Sequence, residues 1–301
     1  MTGAVVRMAR AGARVGEAPL WLPDRKVWLW LDLQGRTVHR YDPVTATDRV
    51  IASGFAEDLA CLVRWTEEAA LLVSVRGFHR LDPDSGQTAP LPCPIGLPPG
   101  TIFNDGKVDR HGGLWLGSSD AAEAAPLGRL WRIRAGQVTE VAAGFTVSNG
   151  PAFAPDGTAA YFADTFARRI LRFRLDTSGA PLSHDLFATI PDSDGYPDGM
   201  TTDSAGTLYI GHWDGAQISR WSTGGTALPP VPVPARNVTS LAFGGDGMRT
   251  AAITTASLFP GQRGGTGPGW DGDLLAIRIG VSGLAEPMLA SGFAGGVTAK
   301  S

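Results

Sequence analysis

The stretch from Asn149 to Phe173 contains three short apolar segments: Asn149-Gly-Pro-Ala, Ala160-Tyr-Phe-Ala and Ile170-Leu-Arg-Phe. The dipeptide Asp156-Gly157 separates the first two, and Asp-Gly between short apolar runs is a strong signal for a β-hairpin. Aromatic and branched side chains fill the second and third segments, and no helical 3.6-residue period competes with them. The stretch therefore predicts consecutive antiparallel strands joined by tight turns.

The same three segments recur in the same order along the chain. Each copy begins with a polar residue, and these residues are Glu17, Asp58, Asn104, Asn149, Asp198 and Thr239. Their spacings are 41, 46, 45, 49 and 41 residues. The third segment shows an apolar–X–Arg–apolar pattern in five of the six copies, at Val38–Tyr41, Phe78–Leu81, Leu130–Ile133, Ile170–Phe173 and Ile218–Trp221.

A weaker fourth segment follows each third one, and in the last copy it is Pro287-Met-Leu-Ala. Units of four short strands at this period predict a β-propeller. Six units make the chain an all-β, six-bladed β-propeller with four antiparallel strands per blade, and we expect residues 1–301 to form a single domain. The segment Val5–Ala9 precedes the first copy, and we expect it to add a strand that closes the ring.

The composition suits a chain with many turns. Its 301 residues include 40 glycines and 22 prolines, spread throughout, which argues against a helical bundle. The net charge is −3, so the chain lacks the basic surface that nucleic acids and anionic membranes attract. Cys61 and Cys93 have neither disulfide-framework nor metal-ligand spacing. No apolar run suits a signal peptide or a transmembrane helix, so we expect a cytoplasmic protein, a monomer or a weak homo-oligomer.

The six polar residues that open the repeats are expected to meet. The first strand of each propeller blade lines the central channel, so equivalent positions form a ring at one end of it. Three carboxylates and two amides in a confined channel repel one another unless a cation neutralises them. Oxygen ligands favour Ca²⁺, Mg²⁺ or Mn²⁺, with Zn²⁺ and Fe²⁺ as further possibilities. The alternative is that these residues only cap strands or bind channel water.

Loops after the second strand of each blade should surround the same end of the channel. They contain Gln34, Arg76, Asp120–Leu127, Phe166, His212-Trp213 and Ser257–Gly269. The last is long and rich in glycine and proline, which suits a rim or lid loop. We therefore predict a pocket at this end of the channel and a packed far end.

Four stretches resemble the signatures of the gluconolactonase/regucalcin family, which includes senescence marker proteins and luciferin-regenerating enzymes. They are Glu17-Ala-Pro-Leu-Trp, Asn104-Asp-Gly-Lys-Val-Asp, Ser148-Asn-Gly-Pro-Ala-Phe and Pro197-Asp-Gly-Met-Thr-Thr-Asp, in register over nearly the whole chain. The resemblance implies a six-bladed propeller that binds one divalent metal ion and hydrolyses lactones. It assigns the metal ion to Glu17, Asn149 and Asp198, and it places Asn104 against substrate or a metal-bound water.

Three positions depart from the family pattern. Ile102 stands where family lactonases commonly have an arginine that contacts sugar oxygens. Ala122 stands where they often have a substrate-contacting glutamate, with Glu123 one residue away. Ala18 replaces the usual glycine of the first signature. We therefore expect an intact metal site with an altered sugar-recognition set.

The expected pocket is more apolar than a sugar lactone prefers. Its side chains would include Ile102, Phe103, Phe166, Tyr196 and Trp213. We assign substrate binding to Asn104, Ile102, Phe166, Trp213 and Asp58. Asp58 is an additional carboxylate that either contacts a substrate hydroxyl or amine or caps a strand. His212 is the one histidine expected near the mouth.

These residues predict metal-dependent hydrolysis of a lactone, in which the cation polarises the carbonyl and water attacks it. Asp198 is the expected catalytic base, and activation of the water by the metal ion is the alternative. No Gly-x-Ser-x-Gly elbow or Ser-His-Asp order offers a covalent route. Two other interpretations are a metal-dependent enzyme for another ester, a phosphotriester or a ring rearrangement, and a non-enzymatic binding propeller.

Overall fold

The computed structural model describes residues 3–258 and 269–293, and in them it contains 24 strands and the 3₁₀ turns Asp192–Asp194 and Asp246–Met248. The strands of the first half of the chain are β1 (Val6–Ala9), β2 (Gly16–Leu22), β3 (Val27–Asp32), β4 (Thr37–Asp42), β5 (Thr47–Ala52), β6 (Leu59–Arg64), β7 (Ala70–Ser74), β8 (Phe78–Leu81), β9 (Thr88–Leu91), β10 (Thr101–Val108), β11 (Leu114–Asp120), β12 (Gly128–Arg134) and β13 (Gln137–Phe145). Those of the second half are β14 (Ser148–Phe153), β15 (Ala159–Asp164), β16 (Arg169–Leu175), β17 (Pro181–Thr189), β18 (Tyr196–Thr202), β19 (Leu208–Trp213), β20 (Gln217–Trp221), β21 (Ala227–Pro232), β22 (Asn237–Gly244), β23 (Thr250–Ala256) and β24 (Leu274–Arg278).

The strands form six antiparallel sheets of four strands each, which confirms the six-bladed β-propeller. The first five sheets are β2–β5, β6–β9, β10–β13, β14–β17 and β18–β21, each in sequence order. The first strands of neighbouring blades contact one another around the ring, from β2 through β6, β10, β14 and β18 to β22 and back to β2. These strands therefore line the central channel.

The sixth blade contains strands from both ends of the described chain. Its order is β1-β24-β23-β22, and β1 pairs with β24 so that Val6 lies opposite Ala276. This confirms the expectation that Val5–Ala9 closes the ring. Because β1 occupies the outer edge of β24, the segment Pro287–Ala290 is not the fourth strand of this blade, and that prediction was wrong.

Instead, residues 280–293 cross the far end of the channel, and we call them the crossing segment. Leu289 donates its backbone N–H to Arg64 O (3.1 Å) in the first hairpin of the second blade. Ala290 donates to Gly112 O (2.9 Å) in the equivalent hairpin of the third blade. The segment also bonds to the fifth blade, through a backbone donation from Ser204 to Ser282 O at 2.8 Å. It therefore closes the end of the channel that the hairpins surround.

Apolar side chains between neighbouring blades form the core. Between the third and fourth blades, Trp115 contacts Phe153, Phe162 and Phe173 with ring centroids 5.6 to 6.1 Å apart. Buried aromatic pairs of this kind stabilise a fold beyond the burial of their area. Cys61 and Cys93 are free thiols. Within the described ranges, no helix is long and apolar enough to span a membrane.

Candidate metal centre and active site

Four channel-lining strands bring predicted site residues to one end of the channel. Strands β2, β10, β14 and β18 carry Glu17, Asn104, Asn149 and Asp198, respectively. Glu17, Asn149 and Asp198 are 7%, 8% and 7% exposed, and Asn104 is half-buried. At or directly after each of these residues, one extra residue in the first strand shifts the register with the second strand. Such bulges re-aim side chains and are frequent beside active sites.

Ala18 shows how the first bulge serves Glu17. Its φ is 49°, in the left-handed region that favours glycine. In this conformation the N–H of Ala18 donates to Glu17 Oε2 at 2.6 Å. The backbone at this position therefore adopts a glycine-like conformation although the residue is alanine.

The two amide side chains are connected to each other. Asn104 Nδ2 donates to Asn149 Oδ1 (2.9 Å) and to the carbonyl of Ser148 (2.7 Å). Asn149 Nδ2 donates to Thr165 Oγ1 at 2.9 Å. Because an amide oxygen has two lone pairs, Asn149 Oδ1 retains one for a cation and Asn104 Oδ1 can accept from substrate.

Three buried carboxyl groups influence one another in the channel. Burial, followed by the charges of Asp198 and Asp105, raises the pKa of Glu17 well above its usual value. Burial also raises the pKa of Asp198 well above its usual value, and the charges of Asp105 and Glu123 add to this effect. Burial raises the pKa of Asp105 to about 7. A divalent cation relieves this combination of burial and like-charge repulsion.

Lys107 places a positive charge beside these groups, on the side of the crossing segment. Its Nζ donates to Met200 O at 2.7 Å and lies 3.8 Å from Glu286 Oε1 of the crossing segment. Asp105, Lys107 and Glu286 line a cavity of about 10 Å³, which is room for one water molecule. Within the described residues, Asp105 Oδ2 has no hydrogen-bond partner. The channel below the site is therefore polar but closed.

The donor set fits a hard divalent cation. Glu17 and Asp198 offer carboxylate oxygens, and Asn149 offers an amide oxygen. Among residues 3–258 and 269–293, no three His, Cys, Asp or Glu side chains come together as a metal cluster. A cation at this place would be held by two carboxylates and one amide, with its other positions open to water or substrate, as in catalytic sites.

The rim of the pocket contains exposed apolar surface. Phe166 is 43% exposed and meets Tyr196 edge-on, with ring centroids 5.6 Å apart. The Arg168 guanidinium lies over the Tyr196 ring at 3.9 Å. Ile102 is half-buried opposite Ser119 on β11, and Trp213 is half-buried at the end of β19. Phe166, Tyr196 and Arg168 thus form one continuous contact beside the mouth.

Phe103 is not part of this rim. It is 1% exposed and packs against Phe78 and Trp131 in the core between the second and third blades. Successive strand residues point to opposite faces, so Phe103 points away from the side on which Ile102 and Asn104 lie.

The remaining ring and mouth residues have protein partners. Asp58 precedes β6, and its side chain is 39% exposed and ion-paired with Arg36 at 2.7 Å. Thr239 is buried and donates to the carbonyl of Gly16 at 2.5 Å. His212 is fully buried, with Nδ1 2.7 Å from Asp194 O and Nε2 2.7 Å from Ser219 Oγ, and burial lowers its pKa.

Several site residues were not singled out in the sequence. Asp105 and Lys107 lie inside the Asn-Asp-Gly-Lys signature, so their motif could have drawn attention to them. Thr165, which bonds Asn149, lies in a turn without any distinguishing pattern. Ala122 and Glu123 are exposed, and Glu123 is close enough to raise the pKa of Asp198. Most of the predicted rim loop Ser257–Gly269 lies outside the described residues.

Fold and site together define a six-bladed propeller with an oxygen-donor centre at the open end of its channel. The chain belongs to the SMP-30/gluconolactonase/LRE-like family, whose model matches residues 15–257. This confirms the resemblance that the four signatures indicate.

Two relatives match almost from end to end. A pentonolactonase from Haloferax volcanii is 33% identical over 297 residues, which cover 95% of this chain and 98% of the relative. A 6-deoxy-6-sulfogluconolactonase from Pseudomonas putida is 33% identical over 288 residues, which cover 94% of this chain and 97% of the relative.

A solved structure shares the fold closely. It is a regucalcin from Agrobacterium tumefaciens, described as a calcium-binding protein, with a TM-score of 0.86 and 25% identity. The match covers 96% of this chain and 98% of that structure.

Proposed function

We propose that this protein is a lactone hydrolase that depends on a divalent metal ion. The observation that carries this is the pair Glu17 and Asp198, two buried carboxyl groups. Burial raises the pKa of both, the charges of Asp198 and Asp105 raise that of Glu17 further, and the charges of Asp105 and Glu123 raise that of Asp198 further. They share the open end of the channel with Asn149, in a chain 33% identical to two lactonases. Buried groups that lack matching counter-charges are expected where a ligand supplies that charge.

Glu17, Asn149 and Asp198 would hold the cation. Their side chains offer oxygen donors only, and such donors favour Ca²⁺. When bound, the cation supplies Lewis-acid polarisation of the lactone carbonyl and stabilises the oxyanion. Asp198 accepts a proton from the attacking water as that water adds to the carbonyl carbon. Asn104 Oδ1 accepts a hydrogen bond from the water or from a substrate hydroxyl. The ring C–O bond then breaks, and the proton passes to the departing alkoxide oxygen.

The closed far end of the channel supports this role. The crossing segment and the Lys107–Glu286 contact block the channel behind the carboxylates. Among the described residues, the rim is therefore the side from which substrate would reach the site, and Phe166, Tyr196 and Arg168 lie there. A partly closed site of this kind strengthens the electrostatic interactions inside it.

The rim indicates the substrate class. Ile102 and Phe166 present apolar surface beside the mouth, and Phe166 is 43% exposed. We therefore propose a lactone with an apolar substituent or fewer hydroxyl groups than a hexonolactone. Trp213 and Asp58 are further proposed substrate contacts, and Glu123 would accept a hydrogen bond from a substrate hydroxyl.

The test is a lactone panel assayed before and after removal of divalent cations with EDTA. We expect ring opening to be lost on chelation and restored by one of Ca²⁺, Mg²⁺, Mn²⁺, Zn²⁺ or Fe²⁺. Aliphatic γ- and δ-lactones should be turned over with a higher kcat/KM than hexonolactones, and Ile102→Arg should reverse this order. Full activity after chelation contradicts the metal dependence. Turnover of phosphotriesters without any lactone turnover would instead favour the alternative hydrolase.

A further inference from the structure

The residue before each proposed metal ligand is held by the neighbouring blade. Its backbone carbonyl accepts a hydrogen bond from a side chain on the blade that lies one step away around the ring. The three bonds are Thr239 Oγ1 to Gly16 O (2.5 Å), Asn104 Nδ2 to Ser148 O (2.7 Å) and Thr165 Oγ1 to Pro197 O (2.9 Å). Gly16, Ser148 and Pro197 directly precede Glu17, Asn149 and Asp198.

Each of these bonds crosses a boundary between blades. Thr239 reaches from the sixth blade to the first, Asn104 from the third to the fourth, and Thr165 from the fourth to the fifth. Clusters of apolar side chains fill much of the boundaries between the third and fourth and between the fourth and fifth blades, and apolar contacts have no preferred direction. A directed hydrogen bond to the adjacent carbonyl therefore fixes where each ligand lies relative to the next blade.

Thr165 acts on two of the three ligands at once. Its hydroxyl has one proton, and Pro197 O can only accept, so the hydroxyl donates to Pro197 and accepts from Asn149 Nδ2. That second bond acts together with the donation from Asn104 Nδ2 to Asn149 Oδ1, and the two bonds fix which end of the Asn149 amide faces away from Thr165. The end that remains is Oδ1, the atom that a cation needs. Thr165 itself is 7% exposed, so water does not compete readily for these bonds.

We infer that Thr165 and Thr239 are positioning residues of the metal centre. Thr165 helps to present the oxygen end of the Asn149 amide to the cation. Both threonines set the spacing of the ligands across blade boundaries. The inference rests on the proposed function, which assigns the cation to Glu17, Asn149 and Asp198. Asn104 completes the set, and it also contacts substrate in the proposed mechanism.

The test compares Thr165→Val with Thr165→Ser. Valine keeps the shape and removes the hydroxyl, whereas serine keeps the hydroxyl. We expect isothermal titration with Ca²⁺ to show roughly tenfold weaker binding for Thr165→Val and near wild-type binding for Thr165→Ser. Thr239→Val should weaken binding less, because Thr239 holds a carbonyl but orients no ligand side chain. The metal-free melting temperature of each variant reports packing separately.

A double-variant comparison isolates the amide. Asn149→Asp places oxygen at both ends of the side chain, so Thr165→Val should cost less Ca²⁺ affinity in that background than in the wild type. Should Thr165→Val not fold, Thr165→Ala removes the same hydroxyl and is judged against the same serine control.

The outcomes separate this inference from the proposed function. Suppose that the wild-type protein binds Ca²⁺. If Thr165→Val and Thr165→Ser then bind Ca²⁺ as tightly as the wild type, or are weakened to the same extent, the positioning role alone is overturned. A wild-type protein that binds no divalent cation overturns both. A Thr165→Val variant with lower kcat, unchanged KM and unchanged Ca²⁺ affinity also overturns the positioning of the metal ligands.

Discussion

Asp198 lies near the start of β18 and Asp203 directly follows its end, and the two carboxylates have different surroundings. Asp203 accepts hydrogen bonds from the backbone N–H groups of Ala205 and Thr207 (both 2.9 Å) and from the Tyr209 hydroxyl (3.0 Å). Asp198, which is also buried, receives a backbone hydrogen bond from Gly199 and faces the charge of Asp105. Asp203 therefore has three hydrogen-bond donors around it, whereas Asp198 has one donor and a neighbouring like charge.

The third blade repeats the contrast. Asp109 accepts from the N–H groups of His111 and Gly113, from Trp115 Nε1 and from Arg132 Nε, at 2.7 to 2.8 Å. Four residues earlier, Asp105 has one oxygen without a partner in the part of the chain that the structure describes. Buried charges are normally paired or fully hydrogen-bonded. The number of donors therefore separates carboxylates that stabilise hairpins from those available to a ligand.

The largest expected effect is that of Asp198→Asn. Removing this charge should abolish detectable Ca²⁺ binding and lower kcat/KM for the preferred lactone by about 10³-fold or more. The metal-free variant should be at least as stable as the wild type, because a like-charge contact with Asp105 and Glu17 is lost. Calorimetric titration, a lactone assay and urea unfolding measure the three quantities. A clear loss of metal-free stability would place Asp198 with the structural carboxylates.

Asp109→Asn should behave in the opposite way. It leaves the Arg132 guanidinium, which is 8% exposed, without its counter-charge. Breaking a buried ion pair in this way costs about 3 kcal/mol or more in the free energy of unfolding. Urea unfolding should show this loss, while the folded fraction keeps wild-type Ca²⁺ affinity. Weakened Ca²⁺ binding with unchanged stability contradicts the comparison.

The pH dependence of metal-free stability should also distinguish the two groups. The pKa values of Glu17 and Asp198 are raised in the fold, and that of Asp105 is raised to about 7. The stability that their protonated forms contribute is present below the ordinary carboxyl pKa of about 4 and is lost as the pH rises through the raised values. In EDTA, wild type should therefore lose stability relative to Asp198→Asn between about pH 5 and pH 8.

Saturating Ca²⁺ provides the control for this experiment. Ligand at 100 times its Kd stabilises the folded state by about 2.7 kcal/mol. The cation should remove most of the pH-dependent difference between wild type and Asp198→Asn, since it replaces the protons. A difference that is constant across the pH range without metal contradicts the prediction.

The smallest effect is expected at Asp58. Its ion pair with Arg36 lies at the surface, where such pairs contribute about 0.2 to 1 kcal/mol. Asp58→Asn should therefore leave Ca²⁺ affinity within about twofold of wild type. A change in KM alone would support the proposed contact with substrate, whereas a large loss of Ca²⁺ affinity would place Asp58 in the metal centre.

The repeat predicted the fold, and it predicted that six opening residues would meet, because equivalent positions in a ring converge. Four of the six, Glu17, Asn104, Asn149 and Asp198, lie on channel-lining strands at one end of the channel. The repeat could not predict side-chain direction. Asp58 lies before its strand and pairs with Arg36, and Thr239 turns its hydroxyl to Gly16. Both depend on where the local bulge falls, and a one-residue shift reverses the face to which a side chain points.

Sequence patterns could not predict the path of the crossing segment either, for a different reason. Pro287-Met-Leu-Ala suits a strand, but its place in the sixth blade is taken by β1. That competition is decided by chain ends more than 260 residues apart, since Val6 lies opposite Ala276. The contact of Lys107 with Glu286 likewise joins residues far apart in sequence, and Thr165 has no motif of its own.

Closure of the ring by β1 and β24 has a consequence for biosynthesis. Strand β1 precedes β24 by more than 260 residues and must wait for Leu274–Arg278 before it finds its partner. Pairings between such distant residues form slowly, because a long loop must close before any contact rewards it. Glu17 and Asp198 come from the first and fifth blades, so the proposed cation site stays incomplete on the nascent chain until the fifth blade has been made. If the site binds a cation as proposed, that binding is expected to follow folding of the blades.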